Sequence, residues 1–274
     1  MNGFNTPQET AQEMVKIGKS KVRLSIFQMI ILGILAGAYI GFGAELSNMV
    51  THDLAPKLGV GFSKFLAGSV FSVGLMLVII GGSELFTGNC LISISIFQKE
   101  ARWGGMLRNW FWVYLANFLG SLILVWIIFY SGLWKVNGHQ VGIGAINTAL
   151  TKVNLSWPEA FFRGLACNWL VCLAVWLAVA GKDAISKIFG IYFPIMAFVA
   201  SGFEHSIANM YFIPIGLYLK GTEVALKSGL NLTSLTWSNF LIKNLIPVTI
   251  GNIVGGAIFV AGFYYLAYLK GQKR

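Results

Sequence analysis

Two short stretches constrain this chain more than any other feature: GGSELFTGN at 81–89 and GFEHSIAN at 202–209. Each sets a glutamate, a glycine and an asparagine inside an apolar run too long to cross a bilayer as one helix. Lys64 and Lys99 are 35 residues apart, and Lys187 and Lys220 are 33 apart. A straight helix of that length runs about 50 Å, whereas a hydrocarbon core of roughly 30 Å needs about 20 residues. Both runs are therefore expected to break. Unwound backbone is tolerated at that depth only where protein buries it or where it lines a water-filled cavity.

The rest of the chain has the composition that such runs require. Apolar residues make up 56% and charged residues only 11%, with 32 glycines and a mean hydropathy of +0.71, which places the chain among polytopic membrane proteins. Apolar spans fall at about 26–50, 62–98, 104–132, 156–180, 188–219 and 238–269. The expected fold is thus all-α, with six transmembrane helices of which the second and fifth are broken. Residues 1–25 carry no apolar run and are not expected to act as a cleavable signal. Thr6-Pro7-Gln8-Glu9 reads as a capping box followed by Met14, Val15, Lys16 and Lys19, which predicts an amphipathic interfacial helix; the alternative is a solvated tail. The domain expectation is that helix over 1–25, a channel-like membrane domain over 26–269, and a tail at 270–274.

Charge then orients the chain. Twelve of the twenty lysines and arginines (Lys16, Lys19, Lys21, Arg23, Lys99, Arg102, Arg108, Lys182, Lys187, Lys270, Lys273 and Arg274) fall on the side that holds both termini. That bias predicts cytoplasmic termini in an inner (plasma) membrane. It also explains the net charge of +10 without nucleic acid, for which no basic face is long enough. Cys90, Cys167 and Cys172 lie in apolar segments without the spacing of a metal site or a disulfide framework.

An internal repeat runs through the six spans. Gly82-x-Glu84-x4-Asn89 recurs as Gly202-x-Glu204-x4-Asn209, and Asn109, Val113, Asn117 and Gly120 recur as Asn244, Val248, Asn252 and Gly255 at a constant displacement of 135. LAGAYI at 35–40 aligns more weakly with LACNWL at 165–170. Two repeats of three spans, about 26–132 and 156–269, must point opposite ways through the bilayer, the plan in which interrupted helices meet near the midplane. Glu84, Glu204, Asn89 and Asn209 are expected to brace the breaks by accepting bonds from loosened amides, with a direct role for the glutamates in transport as the alternative. His205 stands where the first repeat has Leu85, so the scaffold does not demand it. It is either a satisfied core group or a pore residue able to titrate near neutral pH. Half-helices that begin at the breaks aim positive N-terminal dipoles inward, which favours an anion or a weak acid.

With RGLACNWLVCLAVW at 163–176 and PVTIGNIVGG at 247–256, these motifs resemble the formate/nitrite transporter family over nearly the whole chain. The resemblance implies an aquaporin-like protomer in a homopentamer, one pore per subunit, no cofactor and no catalysis. Its substrates would be formate, nitrite or hydrosulfide, with formate preferred. It further implies that Thr87 and His205 face each other across a central chamber with Asn168 as a third polar contact. Phe71, Leu75, Leu85, Phe86, Val171 and Phe198 would form apolar constrictions, and Lys152 would draw anions into the outer vestibule. Taken singly, each has a plainer reading: Phe71 and Leu75 as core packing, Thr87 bonding a loop carbonyl, Lys152 as a loop cation, Asn168 as a tie between helices. The expected mechanism is an anion that gains a proton through His205 or water and crosses as the neutral acid; the competing one passes the anion itself. A water or glycerol channel would carry paired Asn-Pro-Ala boxes, which this chain lacks, and an intramembrane enzyme built on Glu84, Glu204 and His205 would lack any metal or nucleophile motif.

Overall fold

A computed structural model describes residues 3–271; Lys273 and Arg274 of the expected tail, with Gln272, lie outside the described residues. An amphipathic helix α1 (Pro7–Lys21) leads into α2 (Ile26–Thr51). The second span is a helix α3 (Val60–Gly81), an irregular turn, and a short helical stretch α4 (Phe86–Phe97). Then come α5 (Trp103–Ser131), α6 (Gln140–Val153) and α7 (Trp157–Ala180). The fifth span is α8 (Ala184–Ala200), a second irregular turn, and α9 (Ser206–Leu219); the sixth is α10 (Asn239–Tyr268). Five of these helices, α2, α3, α5, α7 and α10, are long and apolar enough to cross a membrane unaided.

The two breaks share one backbone device. Gly82 and Gly202 end α3 and α8 with φ of 79° and 75°, a left-handed conformation that only glycine adopts without penalty. This is why both motifs begin with glycine. Capping boxes start the first span of each repeat in the same way, Ser25 with Gln28 at α2 and Ser156 with Glu159 at α7.

The structure corrects the repeat register. The Leu-Ala match at 35–40 and 165–170 implies a displacement of 130, but equivalent backbone bonds fix it at 131. The Glu84 amide donates to the Leu32 carbonyl and the Glu204 amide to the Arg163 carbonyl. Carbonyl pairing between helices, rather than a shared Leu-Ala, decides which residues are twins. At the true register Asn168 stands opposite Gly37. The same displacement relates Lys21, the last residue of α1, to Lys152 in the last turn of α6. Each repeat therefore begins with an amphipathic helix before its three spans, and α6 is an element that the apolar pattern did not show.

Outward positions of the membrane-spanning helices carry large exposed side chains, among them Phe111, Trp126, Phe162, Phe189 and Phe193, as an apolar surrounding allows. Small residues let the helices close inside. A Cβ on Gly256 of α10 would lie 2.7 Å from the Asn168 amide nitrogen and the Cys172 sulfur of α7, so these helices touch only because the side chain is absent. Here α10 widens into π turns over Gly255–Gly262.

Candidate functional site

Each break is held by an asparagine from the third span of its own repeat. Asn117 Oδ1 accepts the Phe86 amide at 2.9 Å while its Nδ2 donates to the carbonyls of Gly33 (2.8 Å) and Glu84 (2.9 Å). Asn252 repeats the pattern: it accepts the Ser206 amide at 2.9 Å and donates to Gly164 (2.7 Å) and Glu204 (3.0 Å). Both side chains are fully buried. The Phe86 and Ser206 amides and the Glu84 and Glu204 carbonyls, stranded by unwinding, thus find side-chain partners, as burial at membrane depth requires.

The glutamates do different work from that expected of them. Neither Glu84 nor Glu204 accepts a loosened amide with its carboxylate, and Asn89 and Asn209 donate rather than accept. Asn89 Nδ2 donates to Glu84 Oε2 (2.7 Å) and to Asn109 Oδ1 (2.8 Å); Asn209 Nδ2 donates to Glu204 Oε2 (2.6 Å) and to Asn244 Oδ1 (2.8 Å). The other carboxylate oxygen takes a lysine: Lys21 on Glu84 at 2.5 Å, Lys152 on Glu204 at 2.8 Å. Asn109 and Asn244 complete the two clusters by donating to the Lys21 and Lys152 carbonyls. An ionised carboxylate in lipid needs such a partner, and the amphipathic helices α1 and α6 supply it. Lys21 is absent from the sequence-level site; its only signal is the displacement of 131 that it shares with Lys152.

A vestibule opens at each cluster. On the α1 face a cavity of about 360 Å³ is lined by Lys21, Glu84, Asn89, Leu75, Leu85 and Lys187. On the opposite face a cavity of about 350 Å³ is lined by Lys152, Glu204, Asn209, Phe71, Phe198 and His205, with Lys64 and Arg163 at its walls. Lys152 also lies 5.3 Å over the Phe212 ring. It is three-quarters or more buried and ion-paired, so Lys64 and Arg163 are the more open cations on that side.

Between the vestibules lies an apolar turn. Phe71 and Leu75 stand one turn, about 6 Å, apart on α3 and line opposite cavities, so an apolar turn of this helix lies between the two. Phe71 meets Phe198 edge to face with centroids 5.7 Å apart. Val171 is buried and lines neither cavity. Phe86 also lines neither: its ring packs on Trp110 and Tyr114, with centroids 5.9 and 4.7 Å away.

One polar pair interrupts this apolar zone. Thr87 Oγ1 and His205 Nε2 are 2.9 Å apart, both residues being almost wholly buried. The Ala208 amide donates to His205 Nδ1 at 3.0 Å, so Nδ1 is the acceptor nitrogen, Nε2 carries the proton, and the imidazole donates to Thr87. The pair has no symmetry twin, because the matching residues are Ile207 and Leu85. Asn168 does not join it through the side chains. Its Nδ2 donates to the Thr87 carbonyl (3.1 Å) and the Asn252 carbonyl (2.7 Å), which fixes Thr87 from behind.

Two opposed vestibules, mirrored ion clusters and an apolar waist with a single hydroxyl–imidazole pair define a membrane channel for a small solute. Residues 8–266 match the formate/nitrite transporter family model, and the chain belongs to that family, whose members are channels and transporters rather than enzymes. It is 45% identical to a probable formate transporter of Methanothermobacter thermautotrophicus, over 98% of this chain and 99% of that one. It is 35% identical to the formate channel FocA of Escherichia coli K12, over 96% and 94%. Among solved structures, a pentameric formate channel with formate bound superposes with a TM-score of 0.80 at 38% identity, covering 89% of this chain and 98% of that one.

Proposed function

We propose that this protein conducts formate, and more slowly nitrite and hydrosulfide, through a pore in each subunit of a homopentamer, and that the solute crosses the waist as the neutral acid. The carrying observation is the apolar turn between Phe71 and Leu75, with the Thr87–His205 pair as its polar side-chain contact among the described residues. A bare monovalent ion there faces an idealised Born penalty on the order of 20 kcal/mol and an effective one of several kcal/mol. Protonating a carboxylate with a pKa near 4 at pH 7 costs roughly 4 kcal/mol, at 1.36 kcal/mol per unit. For a weak acid, protonation holds the cost near the second figure whatever the bare ion would pay. Strong-acid anions have no such route, and the waist excludes them.

The vestibule cations gather the anion, and the dry zone then favours its protonated form. Water brings the proton. His205 is a poor courier, since a second proton on the ring would have to displace the Ala208 amide from Nδ1. Its part is to orient Thr87, whose own hydroxyl hydrogen is free to donate to the solute. The family relatives named above support formate as the substrate and the pentamer as the assembly, and the lysine and arginine bias supports an inner membrane with α1 on the cytoplasmic face. Uptake into proteoliposomes, measured for formate, nitrite and hydrosulfide at pH 5.5 and 7.5, tests the proposal. Faster uptake of all three at the lower pH, with formate fastest, is expected; formate uptake indifferent to pH refutes it.

A further inference from the structure

The turn between α1 and α2 and the start of α5 enclose a niche of about 490 Å³ at the α1 face, lined among others by Val22, Arg23, Glu100, Arg102, Gly104 and Arg108. Arg108 Nη2 donates to the Val22 and Leu24 carbonyls at 2.9 Å, which fixes its guanidinium at the niche wall. Arg23 and Arg102 are exposed and make no side-chain hydrogen bond or ion pair among the described residues. The carboxylate nearby, Glu100, is held by Lys19 at 2.8 Å.

The fold builds this niche twice. On the opposite face the turn between α6 and α7 and the start of α10 enclose about 500 Å³, lined by Val153, Asn154, Glu159 and Lys243 among others. By the repeat displacements, Asn154 stands where Arg23 does, Trp237 where Arg102 does, and Lys243 where Arg108 does. The concavity therefore belongs to the scaffold and the guanidinium cluster does not. One copy holds three guanidinium groups; the other holds a single ammonium and its own carboxylate.

Close to the arginines in sequence, on the first two turns of α2 and α5, Phe27, Trp103 and Leu107 are 73%, 59% and 55% exposed. Cations next in sequence to exposed aromatic and aliphatic side chains, at the ends of membrane-spanning helices, match a headgroup phosphate with its acyl chains lying along the helices. We infer that this niche binds an anionic phospholipid, one per protomer, with Arg23 and Arg102 gripping the phosphate oxygens and Phe27, Trp103 and Leu107 against the chains. Guanidinium forks suit phosphate because they present paired donors. Soluble phosphate offers the same oxygens but nothing to cover the apolar flank.

Native mass spectrometry of the purified full-length assembly, titrated with dioleoyl phosphatidylglycerol, dioleoyl phosphatidylcholine or inorganic phosphate, tests this. The wild type is expected to retain phosphatidylglycerol at least about tenfold more tightly than phosphatidylcholine, each arginine near the surface contributing. Arg23→Gln with Arg102→Gln should erase that preference, Arg23→Lys with Arg102→Lys should keep part of it, and Lys243→Gln in the twin niche should leave it intact. Unaltered phosphatidylglycerol retention in the double glutamine variant overturns the inference. So does displacement of the lipid by millimolar phosphate, which would mark a soluble anion as the occupant.

Discussion

Replacing Asn117 with leucine tests whether asparagines hold the helix breaks. Leucine keeps asparagine's branched outline and leaves no cavity, and the extra bulk of its methyl groups adds a packing cost that the control below shares, but the bonds to the Phe86 amide, the Glu84 carbonyl and the Gly33 carbonyl are lost. Gly33 lies inside α2 and keeps its intrahelical bond. Phe86 N–H and Glu84 C=O lose a buried partner, at about 1–3 kcal/mol each, so the variant should be about 2–6 kcal/mol less stable. Asn252→Leu strips the equivalent groups at Ser206, Glu204 and Gly164 and should cost the same. Asn48→Leu, which removes one bond to the Val141 carbonyl, serves as the control and should cost no more than about half as much. Equilibrium unfolding in mixed micelles reads all three. If Asn117→Leu is no worse than the control, or if only one of the twins is damaged, the symmetric bracing is wrong.

Thr87→Val keeps shape and burial while removing the hydroxyl at the waist, so formate flux in proteoliposomes should fall about tenfold or more with folding intact; unchanged flux would remove Thr87 from the pathway. Lys21→Gln and Lys152→Gln each leave a buried glutamate without its cation. Their effects on formate flux should agree within a few-fold, whereas an effect confined to Lys152 would deny that α1 and α6 are equivalent. Outside the membrane, Glu223 is held below the usual carboxylate range, first by the hydrogen bond from His139 and then by the charge of Lys227. A depressed folded pKa contributes stability above the ordinary value near 4.5 that is lost as pH falls through the folded value. After correction for the intrinsic pH dependence of exchange, the protection factors of the Glu223–Ser228 amides should therefore fall between pH 5 and pH 3 in the wild type and stay constant in Glu223→Gln.

Much of the fold is legible because lipid allows so few solutions. Apolar length and the two glutamate motifs gave all six spans to within a few residues, together with both breaks. What stayed hidden is what depends on contacts distant in sequence. Asn117 and Asn252 stood out as repeat markers, yet their task, bonding backbone across two helices, leaves no local spacing to read. Lys21 and Lys152 meet glutamates 63 and 52 residues away, unequal separations that disguise equivalent partners. α6 is too short and too mixed to register as a span. Phe86 shares its neighbourhood with Leu85, and only side-chain direction tells the cavity-lining residue from the one packed on Tyr114. The histidine tautomer, on which the proton route depends, follows from the Ala208 amide alone.

Simultaneous recording of formate influx and lumenal pH in proteoliposomes, at clamped membrane potentials of either sign, bears most directly on passage through the waist. Neutral passage carries about one proton with each formate, so the lumen acidifies in step with uptake and the potential has no effect on the rate. Influx that follows the potential while lumenal pH stays constant would mean that the bare anion crosses between Phe71 and Leu75, and the proposed mechanism would fail.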